Sequence, residues 1–125
     1  MKSPISRFTV SGNSMTPTLY PGQDVLSVNW FVNPKVGDIV VINSKQAFGS
    51  EAQARRGTVN REIIKRIQKI DGDQVWLEGD NKQESIDSRD FGPINMDQIV
   101  GKVIYQGIYG RKGRTLKPIK SISSY

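Results

Sequence analysis

The sequence predicts a mostly β protein, a small single-domain antiparallel barrel or folded sheet, and three observations carry that prediction. Nearly every apolar stretch is short and rich in β-branched residues, as in DIVVI at 38–42. The stretches are separated by turn chemistry such as Pro21-Gly22, Val36-Gly37 and Asp71-Gly72-Asp73. No segment has helical potential beyond Met15 to Tyr20, which is too short for more than a turn.

Taken in order, the first strand is expected at Phe8 to Val10, leading into SGNSMTP. Asp24 to Val28 follows the Pro-Gly turn, and Asp38 to Ile42 follows Val36-Gly37. Glu62 to Ile70 alternates polar residues with Ile63, Ile64, Ile67 and Ile70. Gln74 to Glu78 follows the Asp-Gly-Asp turn, and Ile99 to Ile104 closes the set. Strands at this spacing suit a small antiparallel domain. The stretch 43–60 is polar, contains Gly49 and Gly57, and reads as a long loop. The domain is expected to span 1–108, followed by a basic tail at 109–125. With Gly110, Gly113, Pro118 and a Ser-rich end, that tail is expected to be partly disordered.

Composition narrows the chemistry. The chain has 125 residues, 36% hydrophobic and 24% charged, and reads as one globular domain. It contains no cysteine, which excludes disulfides, thiolate ligands and a thiol nucleophile. It also contains no histidine, which argues against a transition-metal site and leaves only a carboxylate site for a hard cation; neither a metal nor a cofactor is expected. The net charge of +6 is carried by the C-terminal segment: Lys102, Arg111, Lys112, Arg114, Lys117 and Lys120 have no acidic residue among them. The first hundred residues balance 12 basic against 12 acidic side chains. Such a tail fits peripheral contact with an anionic membrane. No apolar run reaches the roughly 18–20 residues that span a bilayer, and MKSPISRFTV lacks the apolar core of a secretory signal. The chain is therefore expected to be cytoplasmic or peripherally membrane-associated.

SGNSMTPTLYPGQD, at 11–24, places Ser14 among residues that allow an exposed corner. Gly12 permits close backbone approach, Asn13 tolerates positive φ, and Pro17 fixes the turn. Backbone N–H groups of such a corner can serve an oxyanion. Without histidine, the base for Ser14 has to be a lysine, as in Ser-Lys dyads. A free lysine titrates near 10.4, roughly 3 units above a useful base, and apolar burial moves it in the required direction. REIIKRIQKI, at 61–70, offers Lys65 between Ile63 and Ile67 on one face, with Ile64 and Arg66 on the other. Lys69 lies nearer the turn and is expected in solvent. Against this stands the simpler reading of Lys65 as a solvated edge lysine that discourages strand pairing. GDNKQESIDSRDFG, at 79–92, reads by itself as a charged surface loop in which Asp87 and Arg89 pair.

Together, SGNSMTPTLYPGQD, VGDIVVI, IKRI and GDNKQESIDSRDFGPI arrive in an order that resembles the signal peptidase I family of Ser-Lys endopeptidases. The resemblance runs from about Phe8 to Ile104. It implies Ser14 as nucleophile, Lys65 as general base and Ser85 as the hydroxyl that orients the lysine. It also implies Asp80, Asp87 and Arg89, with Arg66 beside the base, as structural support. Met15 and Pro17 fall at the family's positions and are expected to contact substrate. The oxyanion hole would use backbone at Ser14 and Gly12, because Gly12 stands where some members have a hydroxyl. Substrate would be an extended peptide added as a strand. Members of the family usually carry one or two N-terminal membrane spans, and larger ones a second β domain after the lysine. This chain resembles a minimal, unanchored member without that domain. In size it is similar to the maturation proteases that trim propeptides from nickel superoxide dismutase.

Two rival functions remain at this point. Self-cleaving domains of repressor-type proteins share a G-x-S-M box and a downstream lysine, and EAQARR at 51–56 offers a cut after Ala54. A small β-barrel could instead bind nucleic acid through its basic tail. The scattered placement of Trp30, Phe31 and Trp76 lacks the stacking platform such binders use, so no nucleic acid is expected. Trp30-Phe31 reads as an exposed apolar loop near the nucleophile.

Overall fold

The computed structural model describes residues 4–30, 33–43, 62–85, 88–110 and 113–119. Eight strands form one sheet: β1 (Ile5–Thr9), β2 (Asp24–Val28), β3 (Ile39–Asn43), β4 (Glu62–Asp71), β5 (Gln74–Glu78), β6 (Ile94–Asn95), β7 (Ile99–Gly110) and β8 (Gly113–Pro118). Helical structure among the described residues is confined to single turns at Lys82–Glu84, Ser88–Phe91 and Met96–Gln98. The fold is mostly β, as expected.

Every strand pair is antiparallel, in the order β1-β2-β7-β3-β4-β5-β6, with β8 also on β7. The end strands β1 and β6 do not pair, so the sheet is folded rather than closed into a barrel. β7 is long enough to serve three neighbours. Lys102 pairs with Val28 of β2 and Val40 of β3, which places those strands on opposite edges. Tyr105 pairs with Leu26 and with Pro118, so β8 continues the edge that β3 leaves.

DIVVI has no alternation because β3 is covered on both sides. Ile39 and Val41 join Val10, Met15, Leu19, Val25, Ile64 and Val103 in one core cluster. Val40 and Ile42 join Ile67, Val75, Leu77 and Ile94 in the other. A strand buried on both faces reads as a continuous apolar run. β4 sits between β3 and β5 and is likewise buried from Ile64 to Ile67, polar residues included. That interior position excludes the solvated-edge reading of Lys65.

The strands differ from those expected at several places. The tail expected to be partly disordered from Tyr109 contains β8, and β7 runs six residues past Ile104 to Gly110. The cause is backbone pairing: β7 offers a free edge beyond β3, and β8 turns back onto it from Gly110 to Gly113. The two-residue strand β6 was also missed, being held by only Gln74↔Asn95 and Val75↔Ile94. Asn43 ends β3 rather than starting the polar loop. The rest of that loop, with Ala52 and Ala54, lies outside the described residues, as do Phe31, Asp87 and Lys120 onward. Among the described residues no helix is long and apolar enough to cross a membrane.

Candidate active site

The site is assembled from one turn after β1, the middle of β4 and the loop after β5. The first of these is closed at its base by backbone bonds, Val10 N–H to Gln23 O at 2.8 Å and Gly22 N–H to Val10 O at 2.9 Å. Inside it, Leu19 N–H donates to Met15 O at 2.9 Å, closing a hydrogen-bonded turn. Met15 and Leu19 both plug the core, at 1% and 0% exposure. Anchored on either side, the turn holds Ser14 half-exposed beside Met15. Gly12 has φ 78°, the left-handed region that glycine enters without strain.

Lys65 is only 3% exposed, between half-buried Ile63 and buried Ile67 on the same face of β4. Its ammonium nitrogen lies 3.1 Å from Ser85 Oγ. Ser85 Oγ also accepts the Gly79 N–H at 3.2 Å. A hydroxyl has two lone pairs, so these donors fix its position. Lys69, by contrast, is exposed and lies 4.6 Å over the Trp76 ring.

Gly79 is the point at which the three segments meet. A methyl group there would run into Ser85 Oγ and would lie 2.5 Å from the Ser14 carbonyl oxygen. Only a residue without a side chain fits between the nucleophile turn and the Ser85 loop. The next two residues tie the turn down. Asp80 takes Arg66 in a bidentate pair, Nε to Oδ1 and Nη2 to Oδ2, both 2.8 Å, and accepts the Thr18 hydroxyl as well. Arg66 Nη1 donates to Gly37 O at 2.7 Å. Asn81 N–H donates to Ser14 O at 2.8 Å, and its amide Nδ2 to Thr16 Oγ1 at 3.0 Å. Burial pushes the Asp80 carboxyl up, but the bonds from Arg66 and Thr18 and the charges of Arg66 and Lys82 outweigh it. The carboxyl is held below its usual 3.8.

Of the residues picked from sequence, the structure brings together Ser14, Lys65, Ser85, Asp80 and Arg66, with the last two forming a nearly buried ion pair. Arg89 lies on the one-turn helix Ser88–Phe91 and donates to Lys82 O at 2.8 Å, which braces the loop before Ser85. Its expected partner Asp87 is outside the described residues. Met15 lines a small cavity at Ser14 but is mainly a core anchor, because its side chain fills the first cluster. Pro17 is exposed and lines a separate open groove. Trp30 is exposed and lines neither of these two hollows. The reading missed Gly79, Asn81, Thr16 and Thr18. All four stand inside the quoted boxes, yet their role depends on contacts between segments about 65 residues apart.

The cavity at Ser14 has a volume of about 50 Å³ and is lined by Thr9, Val10, Ser11, Met15, Glu62, Ile63 and Ile64 besides Ser14. It lies where the end of β1 faces the start of β4, and it is mostly apolar and small. Among the described residues no group of side chains is arranged to hold a metal ion.

The chain is similar to proteins of known family. The chain matches the family model described as signal peptidase, peptidase S26, over residues 2–80 and 68–106. It is 33% identical over 108 residues to mitochondrial inner membrane protease subunit 1 of Mus musculus, covering 77% of this chain and 65% of that protein. Subunit 2 of the same organism is 37% identical over 101 residues, 70% of this chain and 58% of the relative. Subunit 1 of Schizosaccharomyces pombe is 32% identical over 117 residues, 75% of this chain and 68% of the relative. The chain thus spans less than two thirds of the length of the mouse proteins. With the family model matched along most of the sequence, the chain belongs to the signal peptidase, peptidase S26, family.

Proposed function

We propose that the protein is a serine endopeptidase that removes an N-terminal signal, leader or propeptide through a Ser14–Lys65 dyad and an acyl-enzyme. One observation carries the reading: a lysine buried to 3% exposure, its amine bonded to Ser85, in the cluster that clamps the Ser14 carbonyl. Desolvation penalises an ammonium and favours the neutral amine a base must be. An amine that donates to Ser85 keeps its lone pair for another partner, which is the orienting role assigned to Ser85.

In the first step the Ser14 hydroxyl proton passes to neutral Lys65 as Oγ bonds to the scissile carbonyl carbon. Collapse of the tetrahedral intermediate breaks the C–N bond, and the Lys65 ammonium gives its proton to the departing amine. Water then repeats the sequence on the ester and frees Ser14. The oxyanion is assigned to backbone at Ser14 and Gly12, whose N–H groups have no backbone acceptor among the described residues. The residue before the cut occupies the 50 Å³ cavity, which suits a small side chain. The substrate backbone lies as an added strand between the end of β1 and the start of β4.

The test is incubation with a peptide library, wild type beside Ser14→Ala and Lys65→Ala, read by mass spectrometry. Both variants are expected to fold and to lose cleavage. Cleavage by Lys65→Ala would remove the dyad. So would a rate that rises with pH only through an apparent pKa near 10.4, the value of a solvated lysine.

A further inference from the structure

The nucleophile turn borders two separate hollows, and only one has a role so far. The second is an open groove of about 660 Å³ lined by Asn13, Thr16, Pro17 and Tyr20 on one wall and Asp80, Asn81, Lys82 and Glu84 on the other. The two hollows share no lining residue, yet Asn13 and Thr16 flank Ser14 in the chain. Asn81, in the groove wall, holds the Ser14 carbonyl.

The two differ in the way the halves of a cleaved peptide differ. The acyl half stays covalently on Ser14 until water arrives, which suits the small apolar cavity that includes Ser14. The amine half must dissociate, which suits an open polar groove. We propose that this groove is the leaving-side subsite and that it takes a polar peptide segment carrying basic side chains. The proposal rests on Ser14 being the nucleophile.

The preferred charge follows from which wall groups are already committed. Asp80 is neutralised by the bidentate Arg66 pair. Lys82 is ion-paired with Glu78 at 2.7 Å. Glu84 has only a long bond from Asn81 Nδ2, 3.4 Å, and no cation partner among the described residues. The charge the groove offers a ligand is therefore negative. The half-exposed Tyr20 lines the same groove, and an aromatic ring there also favours cations. The departing half adds a positive charge of its own, since its new α-amine is protonated in neutral water.

The experiment titrates isotope-labelled Ser14→Ala protein with the tetrapeptide Lys-Ser-Lys-Gly, free at its α-amine, and separately with Glu-Ser-Glu-Gly, following amide NMR shifts. The expected result is shifts at Asn13, Thr16, Tyr20, Asn81 and Glu84 for the basic peptide. Glu84→Gln should raise its Kd roughly twofold to fivefold, the size of an exposed charge pair. Glu84→Lys should reverse the preference, and 1 M salt should erase it. Equal binding of both peptides, or shifts confined to other surfaces, overturns the proposal. This readout needs no catalysis. If Ser14→Ala abolishes library cleavage but the groove stays silent, only the subsite fails. If Ser14→Ala still cleaves, the nucleophile reading fails and the leaving-side assignment falls with it.

Discussion

Replacing Asp80 with alanine tests the brace of the site without touching Ser14, Lys65 or Ser85. The Arg66 side chain is 7% exposed and Asp80 16%, so the pair is nearly out of water. Asp80→Ala removes two 2.8 Å charge-assisted bonds to Arg66 and the acceptor of Thr18. Arg66 keeps only the Gly37 carbonyl among its described partners, leaving a buried guanidinium without a counter-charge. Breaking one side of such a pair costs about 3–5 kcal/mol, whereas replacing both partners by apolar groups of similar volume can be nearly neutral. Urea unfolding at pH 7 is the assay, with Asp80→Ala beside Arg66→Met/Asp80→Leu. The single variant should lose several kcal/mol and the double variant much less. The pH dependence has a fixed sign. The folded Asp80 carboxyl lies below 3.8, so its stabilisation is complete above 3.8 and is lost as pH falls through the folded value. Wild type and Asp80→Ala should therefore converge in stability toward the acid limb. A loss below about 1 kcal/mol at pH 7, the range of an exposed ion pair, would refute the reasoning, as would a difference that grows on acidification.

Three further outcomes are expected. Ser85→Ala should lower kcat more than it raises KM and should move the ascending limb of the rate profile, because the Lys65 amine loses its 3.1 Å partner. An unchanged profile would make Ser85 a packing residue. Gly79→Ala should destabilise the fold or displace the Ser14 turn, since the added methyl meets Ser85 Oγ and Ser14 O; wild-type stability and activity together would contradict that packing. Replacing Arg111, Lys112, Lys117 and Lys120 by glutamine should weaken sedimentation with anionic vesicles by about 1 kcal/mol per residue near the surface. Substitution is preferred to truncation because β8 is part of the sheet. Equal sedimentation would leave the tail no membrane role.

What could be read in the sequence was whatever depends on short range. DVLSV and QVWLE gave strands with the observed bounds, because turn residues flank them on both sides. β8 could not be read, since GRTLKP has neither alternation nor an apolar run. It is a strand because the far edge of β7 is free to pair with it. Ser14 and Lys65 could be named because each stands in a local pattern, a glycine-bounded turn and a lysine among isoleucines, whereas Ser85 was named only through the resemblance of its segment to the family.

By itself the sequence determined the composition of the chemistry. With no histidine and no cysteine, a nucleophilic serine had only lysine to turn to, and Lys65 was the one set within an apolar strand. Burial of that lysine was decided by tertiary structure, because the same ten residues at a sheet edge would leave the amine in water. Packing β4 between β3 and β5 covers both its faces and brings Ser85 to 3.1 Å. The clamp through Gly79, Asp80 and Asn81 was also decided there. Its hydrogen bonds join residues distant in sequence, and such partners carry no local signature until the chain has folded.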